Sequence, residues 1–310
     1  MVARYSVICL VAIFLFGCSS ASASPKPAST ATATLTPAPS VTPPPTSTPE
    51  YVDKIRNAQY QLGISNALRV VQLKNGKFEQ GTVGGADYVS VNVTDFIASG
   101  DLNHDGRDEF AVLVAENYGG SGTFVFLAVY ADVSGTLTFQ TSILVDDRPM
   151  LNAFSIKDGE IFVDAIIHGA SDPMCCPTLK MTRHYQLVAP NQLTMTNFST
   201  FTIDGKPRTI TIDAPVNGTQ AGSSVQFKGS VTIAPFENNL VYHVYDLVGV
   251  ELASGSIPVT AAQPGGPGTF NAAVSLGNIL SGASVRVQIQ DVNAADGSLL
   301  AMNSVQLVVK

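Results

Sequence analysis

The sequence is built from short runs in which apolar and polar residues alternate, separated by pairs of turn-forming residues. Alternation with a period of two residues buries one face of a β-strand, and a pair such as Asn75-Gly76 between two runs is a strong hairpin signal. The pattern recurs around Ser134-Gly135 and Asp158-Gly159, and the stretch 119–124, GGSGTF, also lies between two strand patterns. A short helical pattern is found at residues 51–59, YVDKIRNAQ. The sequence therefore predicts a mainly β protein.

The N-terminus has the features of an export signal. Arg4 precedes an apolar run, residues 7–16, that is too short to cross a bilayer. The run ends in LFGC, which resembles the lipobox of bacterial lipoproteins, where the cysteine thiol is acylated and the chain is cut before it. The resemblance implies a lipoprotein signal peptide over residues 1–17 and a lipid anchor on Cys18, which would hold the mature protein at an extracytoplasmic membrane surface. The alternative is an ordinary signal peptide that ends near a cysteine.

Residues 18–50 are predicted to be a linker because they are almost entirely Ser, Thr, Ala and Pro. This composition cannot bury a core, and its prolines favour extended polyproline II. At about 3.1 Å per residue the linker would reach roughly 100 Å. The formal net charge of the chain is −7, which argues against nucleic acid as a partner. Membrane contact is expected through the lipid anchor.

The rest of the chain is long enough for two domains. We predict an N-terminal β-rich domain of the α+β type over residues 51–207 and an immunoglobulin-like β-sandwich over residues 208–310, with a polar junction at 196–209. The second part has about seven short strands separated by Gly and Asn turns, as such a sandwich does. Its motifs IDAPVNG, SVQFKGSV, FENNLVYHVYD and NAADGSL resemble the immunoglobulin-like domain of bacterial spore germination proteins, which also occurs in surface lipoproteins. The resemblance implies a non-catalytic module that binds a wall or protein partner.

The stretch 99–110, SGDLNHDGRDEF, has the spacing of a calcium loop. Calcium takes about six to eight oxygen ligands, which alternate residues of a tight turn can supply. The loop resembles the D-x-N-x-D-G-x-x-D loop of integrin-type FG-GAP repeats but has His104 in place of Gly and Glu in place of the last Asp. We expect a structural calcium ion; the alternative is a polar turn rich in Asp, Asn and Gly. The candidate ligands are the side chains of Asp101, Asn103, Asp105 and Glu109 and the backbone carbonyl of Arg107.

Two adjacent cysteines, Cys175 and Cys176, form the other unusual motif, DPMCCPT. With the other two cysteines in the signal peptide and at the anchor, these two can pair with each other or with another molecule, and an exported compartment permits disulfides. Three interpretations stay open: a vicinal disulfide, two buried thiols, or a thiolate metal site that borrows His168 or His184. Together with the calcium-type loop, this motif makes residues 57–195 similar to a domain of small bacterial lipoproteins without an assigned activity.

Enzymatic motifs are weak in this sequence. It contains no G-x-S-x-G, no H-E-x-x-H and no G-x-x-x-x-G-K. We therefore predict a lipid-anchored, extracytoplasmic and non-catalytic protein that binds a cell-wall or protein partner through its β domains. One alternative is a ligand- or glycan-binding lipoprotein with its site in the N-terminal domain. A third is a hydrolase of unrecognised type.

Overall fold

The computed structural model describes residues 49–64, 68–188, 191–277 and 279–310. The predicted signal peptide, the predicted acylation site Cys18 and all but the end of the predicted linker lie outside the described residues. Strands account for 61% and helices for 4% of the described residues, which confirms the prediction of a mainly β protein. In the described part, the helices are too short and too polar to cross a membrane.

The first half of the fold contains a short helix and two antiparallel sheets. The helix α1 (Pro49–Arg56) precedes a two-stranded sheet of β1 (Gln59–Leu62) and β2 (Arg69–Gln72). A five-stranded sheet follows in sequential order. Its strands are β3 (Lys77–Gln80), β4 (Val89–Gly100), β5 (Glu109–Asn117), β6 (Phe124–Val133) and β7 (Thr136–Asp147).

The five-stranded sheet is buried on both faces. In β5, Ala111 and Leu113 contribute to one hydrophobic core, while Phe110, Val112 and Val114 contribute to another on the opposite face. A strand covered on both sides is a continuous apolar run, which is why FAVLV does not alternate. The calcium-type loop directly precedes this strand, so the loop is attached to the most buried strand of the sheet.

The second half forms a larger sheet in the order β13-β15-β18-β17-β16-β19-β20-β11-β10-β9-β8, in which β12 also pairs with β11 and β14 with β20. The bounds of these strands are β8 (Met150–Lys157), β9 (Glu160–Ile167), β10 (Leu179–Val188), β11 (Gln192–Phe201), β12 (Pro207–Arg208), β13 (Ile210–Ala214), β14 (Thr219–Ala221), β15 (Ser224–Val231), β16 (Asn239–Asp246), β17 (Glu251–Ala261), β18 (Gly268–Ser275), β19 (Ser284–Val292) and β20 (Leu299–Val309).

The C-terminal strands form a two-layered sandwich because β17 belongs to both layers. Its first part pairs with β16, and its last residues, 259–261, pair with β18. The strands β13, β15 and β18 therefore face β16, β19 and β20 across a shared core that includes Phe227, Val244 and Val287. The parallel pairing of β14 with the last strand completes the arrangement of an immunoglobulin-like sandwich.

Part of the predicted junction is a strand. Residues up to Phe201 belong to β11, which pairs with β20 through Asn197–Asn303, Phe198–Met302 and Ser199–Ala301. One of the polar side chains that suggest a junction is hydrogen-bonded across this seam, because the Thr200 hydroxyl donates to the Leu300 carbonyl at 2.6 Å. The division of the chain near residue 207 into two domains stays a prediction.

Two of the three predicted turn pairs join strands that pair along their length, and the third joins only one bridged residue pair. Ser134-Gly135 connects β6 to β7, and Asp158-Gly159 connects β8 to β9. Asn75-Gly76 forms a hairpin of one residue pair, since the backbones of Lys74 and Lys77 exchange two hydrogen bonds; beyond this pair, β2 pairs with β1 and β3 pairs with β4. The turn is also hydrogen-bonded to other segments, because the Gly76 N–H donates to the Arg56 carbonyl and the Gly76 carbonyl accepts from the Val93 N–H.

Candidate functional site

The loop between β4 and β5 is folded by its own side chains. The Asp101 carboxylate accepts hydrogen bonds from the backbone N–H groups of Asp105 (3.1 Å) and Gly106 (2.9 Å). Asp105 accepts in turn from the Arg107 N–H at 2.9 Å, and Asn103 Oδ1 accepts from the Asp105 N–H at 2.9 Å. Gly106 has a φ of 84°, a conformation that glycine adopts without strain. The predicted ligand residues therefore do form one tight turn.

Glu109 closes this loop from its buried end. It is the first residue of β5 and is only 2% exposed. Its Oε2 accepts from the Leu102 N–H at 2.9 Å, and its Oε1 accepts from the side-chain amide of Asn103 at 3.0 Å. Burial raises the pKa of Glu109, and the negative charges of Asp105 and Asp101 add to the increase, whereas the bond from Leu102 opposes it. Both carboxylate oxygens thus have partners inside the loop.

The loop offers oxygen ligands, but its side chains point at the loop's own donors. The Asn103 amide lies between Asp105 Oδ2 (3.3 Å) and Glu109 Oε1 (3.0 Å) and so stands where a cation would balance the two carboxylates. Oxygen ligands without nitrogen or sulfur suit a hard ion such as calcium. No group of three or more His, Cys, Asp or Glu side chains is arranged around a metal position in the described residues. Calcium binding therefore stays a proposal.

His104 explains one departure of the loop from the FG-GAP pattern. Its φ is 61°, in the left-handed region where the pattern has glycine. The imidazole lies against the β8–β9 turn, so closely that a Cβ built on Gly159 would stand 2.5 Å from His104 Cε1. The side chain therefore links the loop to a strand pair of the other sheet. No sequence pattern indicates this contact, because Gly159 is far along the chain and has only the local signature of a turn residue.

The second motif lies on the β9–β10 connection. Cys175 and Cys176 are joined by a vicinal disulfide, and both residues are exposed, as is Met174. Of the two histidines considered as partners, His168 lies on this loop, with Nε2 3.2 Å from the Met174 carbonyl oxygen. His184 instead pairs with Glu160 at 3.3 Å. The exposed position disfavours the alternative of two buried thiols.

Asp172 fixes the shape of the cysteine loop. Its carboxylate accepts from the backbone N–H groups of Gly169 (2.8 Å) and Thr178 (2.6 Å) and from the Thr178 hydroxyl (2.8 Å). These hydrogen bonds lower the pKa of Asp172, because they stabilise its ionised form. The loop is therefore tied together at its two ends, with the disulfide at its exposed tip.

Sequence reasoning missed a groove of about 870 Å³ at one end of the sandwich. The groove is surrounded by the β15–β16, β17–β18 and β19–β20 connections, together with Arg208 from the segment that enters the sandwich. Phe236 stands at the groove and is 66% exposed. The next two residues, Glu237 and Asn238, have φ values of 53° and 54°. Consecutive left-handed residues other than glycine are unusual and are found at functional sites more often than elsewhere.

The floor of this groove contains an ion pair. Arg208 Nη1 lies 2.6 Å from Asp291 Oδ2, and the Asp291 side chain is 3% exposed. The surrounding wall is largely apolar and includes Pro235, Pro264 and Leu300. An apolar recess with a few polar groups is the usual form of a ligand site. The available signal in the sequence is the aromatic residue in PFENN, placed between two strand patterns.

The comparisons with known proteins assign the chain to no family. No protein-family model matches the chain, and no curated protein shows significant similarity to it. The resemblances to spore germination, FG-GAP and lipoprotein sequences therefore stay predictions, and the function is argued from the geometry of the sites.

Proposed function

We propose that the protein is a lipid-anchored, extracytoplasmic and non-catalytic binding protein that engages a cell-wall or protein partner. The groove at the end of the sandwich is the observation that carries this proposal. Exposed aromatic side chains are enriched where proteins bind partners, and Phe236 presents most of its ring to solvent on a turn of unusual backbone conformation. Loops at the end of an immunoglobulin-like sandwich are also well placed for recognition, because the strands behind them are rigid.

One further feature supports the proposed location of the protein outside the cytoplasm, and another supports a structural role for calcium. An exposed disulfide between Cys175 and Cys176 persists in an oxidising compartment outside the cytoplasm, which agrees with the export signal. The loop 101–109 folds tightly and, through His104, contacts a second sheet. We propose that calcium binds this loop and braces the two sheets, a structural role in which the ion takes part in no reaction.

A pull-down tests the binding function. The described residues from 49 onward belong to one compact unit, so a fragment of residues 43–310 can serve as bait for an envelope extract. We expect the bait to retain a partner and Phe236→Ala to weaken the retention at least about fivefold, the loss typical of an important interface residue. Leu280→Ala is the matched control, because Leu280 is 82% exposed in the connection that precedes β19, at the other end of that strand. Equal retention by both variants would exclude the groove as the binding surface.

A fractionation experiment tests the anchor. Cys18→Ser in the full chain should move the protein from the membrane to the soluble fraction, because acyl chains on Cys18 are the expected membrane attachment. The far-ultraviolet circular dichroism of the β body should not change. A variant that remains in the membrane fraction after a salt wash would show that the lipobox interpretation is wrong.

A further inference from the structure

Arg286 on β19 is a buried cation whose hydrogen bonds all go to neutral groups. The residue is 4% exposed. Its Nη1 donates to Ser304 Oγ at 3.1 Å, and its Nη2 donates to the side-chain oxygens of Gln186 at 3.1 Å and Gln306 at 3.3 Å. A buried charge is costly unless an opposite charge accompanies it. Among the described residues, no carboxylate forms an ion pair with Arg286.

The guanidinium group of Arg286 is accessible from a cavity. Its Nε–H takes part in none of these hydrogen bonds, yet Nε is not among the fully enclosed side-chain atoms that lack a partner in the described residues. Nε therefore has accessible surface. Arg286 lines a cavity of about 320 Å³ between the end of the β10–β11 hairpin and the β16–β17 turn. An incoming acceptor can reach Nε from this cavity.

Gln288 provides a second donor in the same cavity. It follows Arg286 by two positions on β19, and alternate residues of a strand point to the same side. Its Oε1 accepts from Gln290 Nε2 at 3.0 Å, whereas its own Nε2 has no acceptor in the described part of the chain and is not enclosed. Two neighbouring donors without acceptors favour a ligand that accepts hydrogen bonds, and the charge of Arg286 favours an anion.

The acids near the cavity limit the charge of that anion. Asp246 lines the cavity, where its Oδ1 accepts from the backbone N–H groups of Val248 (3.0 Å) and Val250 (2.8 Å). Burial lowers the pKa of Arg286, and the negative charge of Glu160 opposes this decrease. Both acids repel an anion, and they repel a doubly charged phosphate more than a singly charged group. A monocarboxylate therefore fits the charges of the cavity better than phosphate does.

The remaining wall of the cavity suits an aliphatic group. It is formed in large part by the side chains of Val188, Leu193, Met195 and Leu247. A volume of about 320 Å³ is at the lower end of the range for ligand sites, so the occupant is a small molecule. Apolar walls around a few polar groups are the usual composition of such a site.

We propose that this cavity binds a small aliphatic monocarboxylate, with Arg286 Nε and Gln288 Nε2 donating to its carboxylate group. The apolar wall receives the aliphatic part of the ligand. The cavity is separate from the groove at Phe236, so the inference adds a small-molecule ligand to the proposed binding of a wall or protein partner. Either can fail without the other, because each is tested with its own ligand and its own variants.

The ligand-side test uses calorimetric titration of unchanged protein, residues 43–310, in a buffer without chloride. Hexanoate should bind, and hexanamide should bind at least about tenfold more weakly, because it keeps the stem but removes the charge. Inorganic phosphate should also bind more weakly than hexanoate. Equal affinity for hexanoate and hexanamide, or no binding of hexanoate at about 10 mM, would overturn the proposal. Tighter binding of phosphate, or displacement of hexanoate by an equal concentration of chloride, would overturn the choice of a carboxylate.

The protein-side test removes the two donors one at a time. Arg286→Gln should abolish the preference for hexanoate over hexanamide, and Gln288→Met should weaken hexanoate about fivefold, the contribution of one neutral hydrogen bond. Lys228→Gln is the matched control, because it removes the same charge from an exposed position on β15 and should leave the affinity unchanged.

Thermal melting of each variant checks folding. If Arg286→Gln does not fold, the ligand series and Gln288→Met still decide the question. A preserved preference for hexanoate in folded Arg286→Gln, or an equal loss of affinity in Lys228→Gln, would overturn the assignment of Arg286 as the donor.

Discussion

The two halves of the protein bury an acidic side chain in different ways. Glu109 and Asp291 are each 2% exposed, and burial raises the pKa of both. Glu109 has both carboxylate oxygens hydrogen-bonded within its own loop. Asp291 has one oxygen bonded to Arg208, a residue 83 positions away along the chain, and one without a partner in the described residues.

This difference separates a local arrangement from a long-range one. An acid whose donors come from neighbouring residues helps to fold its own loop. An acid held by a distant arginine depends on the whole sandwich for its position. Burial alone therefore does not tell the two arrangements apart; the origin and number of the donors do.

The largest expected effect on stability comes from breaking the ion pair between Arg208 and Asp291. Arg208→Ala should lower the free energy of unfolding by about 3 kcal/mol, because it leaves the buried Asp291 without any charged partner. Chemical denaturation of residues 43–310 measures the change. Adding Asp291→Asn to this variant should recover part of the loss, since the remaining side chain is then neutral.

Lys206→Ala is the control for the Arg208 variant. Lys206 lies two residues earlier and also contacts an aspartate, Asp204, at 2.9 Å, but both side chains are largely exposed. Exposed ion pairs contribute little to stability, so this variant should unfold like the unchanged protein. Similar unfolding curves for Arg208→Ala and Lys206→Ala would mean that the buried pair does not stabilise the sandwich, and the comparison with Glu109 would lose its basis.

The next largest expected effect is the stabilisation of the protein by calcium bound to the loop 101–109. If the loop binds calcium, a hundredfold excess over Kd should stabilise the protein by about 2.7 kcal/mol, which corresponds to a rise in Tm of about 5 °C. Asp105→Ala should abolish the increase because it removes a charged ligand. Calorimetry with calcium and with chelator, on protein shown beforehand to be metal-free, measures both.

Asp108→Ala is the matched control within the same loop, since Asp108 is exposed and is not among the candidate ligands. It should keep the calcium response of the unchanged protein. Identical melting curves of the unchanged protein with calcium and with chelator would show that the loop is only a polar turn and binds no calcium.

Features that depend on neighbouring residues are predictable from the sequence, and those that depend on distant residues are not. The 101–109 loop is recognisable because its interacting side chains lie within nine positions of the chain. The strand β11 resembles a junction because Thr196, Asn197 and Thr200 are polar, and their partners lie on β9 and β20. The Arg208–Asp291 pair has no local pattern, so the groove emerges only with the fold. The hairpin predicted at Asn75-Gly76 is limited to the pair Lys74–Lys77 for the same reason, since β2 and β3 each pair with another strand.

The smallest expected effect concerns an acid that is neither buried nor distant, Asp172 of the cysteine loop. Its three hydrogen bonds come from Gly169 and Thr178, and they hold the loop that carries the disulfide. Asp172→Ala should leave the Tm almost unchanged but should make the disulfide react faster with a mild thiol reductant, because the loop samples more open conformations. Alkylation followed by intact-mass measurement gives the rate, and Ser171→Ala, at the exposed neighbouring position, should react like the unchanged protein. Two free thiols in unreduced, denatured protein would show that the bridge is absent, and equal rates for the two variants would show that Asp172 does not protect it.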